Sequence, residues 1–169
     1  MTLHSTMTGF TLIELLVVML ITAVLASLAA PALAVFKARV TLANDMHQLQ
    51  SAVLLARHLA VIERTVMMVC PASREQRRDG GYCSGDYSSG VAVWRQHEEV
   101  WELVRIWRWS NRPVMNRRGT RAVSEGVLFH PSGMSSRNIT WSMCADGANR
   151  SLVLNRIGRP SLRDGWGQC

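Results

Sequence analysis

Lysine is nearly missing from this sequence: Lys37 is the only one, so arginine supplies the rest of the 19 basic residues, against 12 acidic ones. The net charge of +7 suits anionic partners such as nucleic acid, lipid headgroups or acidic protein faces, without choosing among them. The signatures of common catalysis are missing too. No G-x-S-x-G, H-E-x-x-H, P-loop or G-x-G-x-x-G occurs, and His4, His47, His58, His97 and His130 fall at no ligand or triad spacing. These absences point away from an enzyme, with no catalytic residue and no cofactor expected. C-x-x-C spacing is absent as well, which makes a zinc site a poor fit for Cys70, Cys83, Cys144 and Cys169, and no metal is expected. There is no internal repeat to suggest a second domain.

Charge is also absent from a long stretch near the start. Leu15 to Phe36 are 22 consecutive uncharged, largely apolar residues, and a bilayer core of about 30 Å takes about 20 such residues as a helix. A cleaved secretory signal has a shorter apolar part, about 7–15 residues, after a positively charged start. Here Met1 to Gly9 contain no lysine or arginine, and His4 is the only candidate cation. Glu14 stands at the head of the apolar run, where a carboxylate entering lipid requires a partner.

Beyond Lys37 the pattern becomes periodic. Leu42, Met46, Leu49, Val53, Ala56 and Ala60 follow at spacings of 4, 3, 4, 3 and 4, one face of an amphipathic helix whose other side carries Asn44, Gln48, Ser51 and His58. The pattern predicts one helix from about Thr11 to Glu63, with Pro31 favouring a kink. After Arg64, β-branched and aromatic runs predict strands at Thr65–Val69, Gly90–Trp94, Val100–Trp107, Val127–His130, Ile139–Met143 and Leu152–Asn155. Loops are expected at Pro71–Ser89 and Ser110–Gly126. Among the tryptophans, Trp94, Trp101 and Trp141 fall in strand runs and are assigned to the sheet core.

The fold class is therefore α+β: a long N-terminal helix packed on an antiparallel sheet or small β-sandwich. The divisions expected are a leader at 1–9, a hydrophobic helix at 10–36, an amphipathic helix at 37–64 and a β-rich domain at 65–169. Four cysteines allow three pairings. Sequence-local closure favours Cys70 with Cys83 and Cys144 with Cys169, in an oxidising compartment.

Gly9-Phe10-Thr11-Leu12-Ile13-Glu14-Leu15 resembles the leader and first residues of type IV prepilins. The resemblance implies cleavage after Gly9 by a prepilin peptidase, N-methylation of Phe10, and assembly with other pilins or pseudopilins through the helix. Glu14 would then pair with the N-terminal amine of a neighbouring subunit. It also implies a single-pass inner-membrane precursor with its C-terminal domain in the periplasm, later incorporated into a pilus or pseudopilus.

Pro131-Ser132-Gly133 and the stretch Arg150 to Arg159, with its Gly158-Arg159 turn, resemble the C-terminal domain shared by GspH, FimU and FimT proteins. That likeness implies a minor pilin that primes or connects the tip of a type IV pilus, or a type II secretion pseudopilin. The FimT branch adds DNA binding through Gly-Arg-x-Arg near the C-terminus. In Gly158-Arg159-Pro160-Ser161 the second arginine is missing, though Arg163 follows two residues later. Arg156, Arg159 and Arg163 are accordingly the candidate DNA contacts, and the departure ranks DNA below the structural role.

Overall fold

The computed structural model describes residues 11–72, 83–109 and 111–169. The chain divides into two units, residues 1–37 and 38–169. Helix α1, Leu12–Ile62, supplies the described part of the first unit and the opening segment of the second, and it runs on through Pro31.

In the first unit every described side chain with an assigned burial is exposed, from Leu12 at 78% to Phe36 at 66%. Mean hydropathy over the most apolar window of the helix is 2.6, enough in length and composition to cross a membrane.

The second unit opens with α1 laying its stripe into the core: Leu42, Met46, Leu49, Val53, Ala56 and Ala60 are all buried, with Ala52 beside them. The helix ends as Arg64 takes the left-handed conformation, φ 51°. Two antiparallel sheets follow. The first has the order β3-β2-β1-β4, with β1 Met67–Pro71, β2 Gly90–His97, β3 Val100–Arg108 and β4 Val127–Phe129. The second has the order β5-β6-β7, with β5 Ile139–Ala145, β6 Ala148–Leu154 and β7 Pro160–Asp164. The α+β class read from the sequence therefore holds.

Besides shifts at strand ends, as in β1 and β2, three details differ from the sequence reading. Strand β6 begins at Ala148, not Leu152, because Asp146 (φ 45°) and Gly147 (φ 73°) make a two-residue turn that pairs Ala145 with Ala148. Strand β7 is additional to the strands read from the sequence; its Pro160 stands at the first position of an edge strand, where no ladder N–H is needed. Of the tryptophans assigned to the core, Trp141 is fully buried, 5.8 Å edge-on to Tyr87, but Trp94 and Trp101 are half-buried. Strand β3, which carries Trp101, lies at a sheet edge and has no fully buried residue.

Candidate assembly helix and basic surface

Thr11 caps α1. The Glu14 amide donates to its Oγ1 at 3.4 Å and the Leu15 amide to its carbonyl at 3.2 Å. Thr11-x-x-Glu14 is the sequence of a capping box, with Glu14 in the first helical turn, where the N–H dipoles favour a carboxylate. Glu14 is exposed, and from there to Phe36 no other side chain can ionise. Gly9 and Phe10, the expected processing site, lie outside the described residues.

The four cysteines form two disulfides, Cys70–Cys83 and Cys144–Cys169. The first fastens the end of β1 to the chain leading to Tyr87, whose hydroxyl donates to the Glu125 carbonyl at 3.0 Å. Burial pushes the Tyr87 phenol well above its ordinary range. The second holds the C-terminal tail to β5. That tail is held further by the Gly167 amide, which donates to Asn149 Oδ1 at 2.7 Å, and by the Gln168 amide, which donates to the Arg117 carbonyl at 3.1 Å.

Six arginines between Arg105 and Arg121 and three near the C-terminus suggest a common basic face, and the fold realises part of it. Arg117 and Arg163 both stack on Trp166, with guanidinium carbons 4.1 and 4.9 Å from the ring centroid. Beside them Arg117, Arg121 and Arg137 line a cavity of about 330 Å³, together with Glu125 and Asn138. Arg121 is paired with Glu125, whose carboxyl its guanidinium holds below the usual range.

Arg156 and Arg159 lie in the turn between β6 and β7, where their amides donate to Asn138 Oδ1 at 2.7 Å and Asn155 Oδ1 at 3.0 Å. Arg159 and Arg163 are four residues apart, about 13 Å along an extended chain. Gly158 explains this turn: at φ 79°, a Cβ would stand 2.1 Å from the Gly133 carbonyl oxygen. Gly133 in turn accepts from Arg57 Nε at 3.2 Å. The Pro131-Ser132-Gly133 and Gly158-Arg159 turns are therefore seated on each other and on α1.

One arginine of the basic stretch points inward. Arg112 Nε lies 3.4 Å from Asp45 Oδ2, and a terminal nitrogen donates to the Cys144 carbonyl at 2.9 Å. Burial pushes the Asp45 carboxyl up, and Arg112 draws it partly back. This pair was missed from sequence. The available signal was Asp45 itself, which joins Leu49, Ala52 and Ala56 at spacings of 4, 3 and 4, on the flank of the apolar stripe.

Among the described residues no group of three His, Cys, Asp or Glu side chains is placed to hold a metal. Residues 45–158 match the family model described as type II transport protein GspH, and residues 5–30 match the prokaryotic N-terminal methylation motif. Two crystal structures of the Pseudomonas aeruginosa type IV minor pilin FimU share the fold. One has a TM-score of 0.55 at 16% identity, covering 75% of this chain and 98% of that one. The other has a TM-score of 0.56, also at 16% identity, covering 78% and 98%. No match was found among curated proteins.

Proposed function

Since this chain belongs to the family of the type II transport protein GspH, with a methylation motif at its N-terminus, we propose that it is a minor pilin that primes a type IV pilus or connects its tip to the fibre. The observation carrying this reading is α1 up to Phe36: every described side chain there with an assigned burial is exposed, and Glu14 is the only one that can ionise. Such a segment is satisfied in lipid or among like helices, not in water.

On this reading a prepilin peptidase cuts after Gly9 and Phe10 is N-methylated. The precursor crosses the inner membrane once with the disulfide-bonded unit in the periplasm. In the fibre Glu14 pairs with the terminal amine of an adjacent pilin, and the β-rich unit makes lateral contacts. The protein works by assembly, without catalysis.

The test is Glu14→Ala, followed by processing and by incorporation into sheared surface fibres. The expected outcome is a mature N-terminus at N-methyl-Phe10 by mass spectrometry, with incorporation sharply reduced, because the amine loses its counter-ion while the helix inserts more easily. Unaltered incorporation refutes the pairing, and a mature protein that keeps Met1 refutes the processing.

Arg117, Trp166 and Arg163 favour a second reading, in which the basic surface meets DNA by phosphate contact. It ranks second because Arg112 and Arg121 are already engaged by Asp45 and Glu125.

A further inference from the structure

Arg39 follows the last residue of the apolar run by three positions. A helix rises 1.5 Å per residue, so a run of this length covers about 33 Å, close to the hydrocarbon thickness of a bilayer. If Leu15–Phe36 fills the membrane, Arg39 must stand at the level of the lipid headgroups on the side of the second unit.

Arg39 also lines an open cavity of the second unit, of about 400 Å³. Its lining includes Arg39, Leu42, Asn149, Arg150, Asp164 and Gly165. Added Cβ atoms at Gly147 and Gly165 would meet nothing within 4 Å, so the chain leaves open space at both glycines. Leu42 is buried, while Asp164 has 74% of its side chain exposed.

Arg150 uses one edge of its guanidinium on Asp164: Nε to Oδ1 at 2.7 Å and Nη2 to Oδ2 at 3.4 Å. The end-on edge, with Nη1, is the geometry by which arginine forks a second oxyanion. Two guanidinium groups against one carboxylate leave the cavity with a surplus positive charge. Asp146 stands in the neighbouring β5–β6 turn but outside the lining.

We infer that this cavity holds the phosphate of an anionic phospholipid headgroup, between Arg39 and Arg150, while the subunit is anchored in the membrane before assembly. The inference rests on the membrane-anchored reading above. It adds a specific lipid contact, which orients the second unit over the bilayer and is released when the helix leaves for the fibre.

The experiment uses the full chain in nanodiscs of phosphatidylcholine with a minority of phosphatidylglycerol, and native mass spectrometry to count retained lipid. Phosphatidylglycerol is expected to be enriched over phosphatidylcholine, and Arg39→Gln to lower its retention about fivefold, the effect of one basic side chain at an anionic surface. Asp164→Asn is expected to raise retention, because it removes the competing carboxylate and frees Arg150; a purely structural role for the Arg150–Asp164 pair predicts no gain. Arg64→Gln, past the far end of α1 and so about 35 Å or more of helix away from Arg39, beyond the screening length, should change nothing.

Equal losses from Arg39→Gln and Arg64→Gln, or a loss from Asp164→Asn, overturn the inference. So does displacement of phosphatidylglycerol by inorganic phosphate, which assigns the cavity to a free anion. A chain that enters nanodiscs but shows no lipid preference refutes the headgroup site alone. One that fails to enter refutes the anchored reading and the site with it.

Discussion

Replacing Arg112 by methionine tests whether α1 is locked to the β-rich unit by charge as well as by packing. The side chains of Asp45 and Arg112 are 4% and 17% exposed, and their charged atoms lie 3.4 Å apart. At an effective dielectric of about 20 the attraction is about 5 kcal/mol, but removing both charges from water offsets much of it. The intact pair therefore adds little, whereas a lone buried carboxylate is costly. Arg112→Met keeps the aliphatic stem, removes the donor to the Cys144 carbonyl, and should destabilise the 38–169 unit by about 3–5 kcal/mol at neutral pH. For a domain of this size that lowers Tm by about 10–20 °C.

The pH dependence has a definite sign. Because the folded Asp45 pKa is raised above its ordinary 3.8, its contribution to stability is fully present below that value and is lost as pH rises through the folded pKa. Without Arg112 the folded pKa moves further up, so the deficit of the variant should be widest at neutral pH and shrink in mild acid. Thermal unfolding followed by circular dichroism, disulfides intact, measures both. Asp45→Asn in the Arg112→Met background should recover most of the loss. A single variant within about 1 kcal/mol of the wild type, or a deficit constant with pH, refutes the reasoning.

Replacing Cys144 and Cys169 together by serine should cost about 3.5 kcal/mol and the Cys70–Cys83 pair about 3 kcal/mol, from sequence separations of 25 and 13; denaturant unfolding checks the order. Gly158→Ala should destabilise by about 2 kcal/mol or more, because its Cβ meets a backbone oxygen and its φ is positive, and a midpoint unchanged in urea would show that the two turns can separate. Duplex DNA should bind the 38–169 unit weakly and with a steep salt dependence, and Arg159→Gln should change this little. Tight binding at physiological salt that Arg159→Gln or Arg163→Gln abolishes would instead put DNA first.

How far the sequence alone reaches differs between the two units. In the first, one local property suffices: an unbroken apolar run is a helix that needs lipid or other helices, and Glu14 at its head is conspicuous because nothing else from there to Phe36 is charged. The stripe from Leu42 to Ala60 is equally local, since a period of 3.6 fixes which side is buried before any partner is known. The strands after Arg64 were found where β-branched residues cluster, and misjudged where turn chemistry decides, as at Asp146-Gly147 and before Pro160.

The site chemistry was legible where it is consecutive and hidden where it is assembled. Tertiary structure alone decided that Arg112 turns inward to Asp45, that Arg117 and Arg163 meet across Trp166, and that Gly158 is pressed against Gly133. It also decided that Arg39 and Arg150 line one cavity. Each of these joins residues distant along the chain, and no local periodicity records which loop will cover which face of a sheet. The N-terminal helix is specified by its neighbours in sequence, and the basic surface by the meeting of the 117–138 segment with β7 and the C-terminal tail.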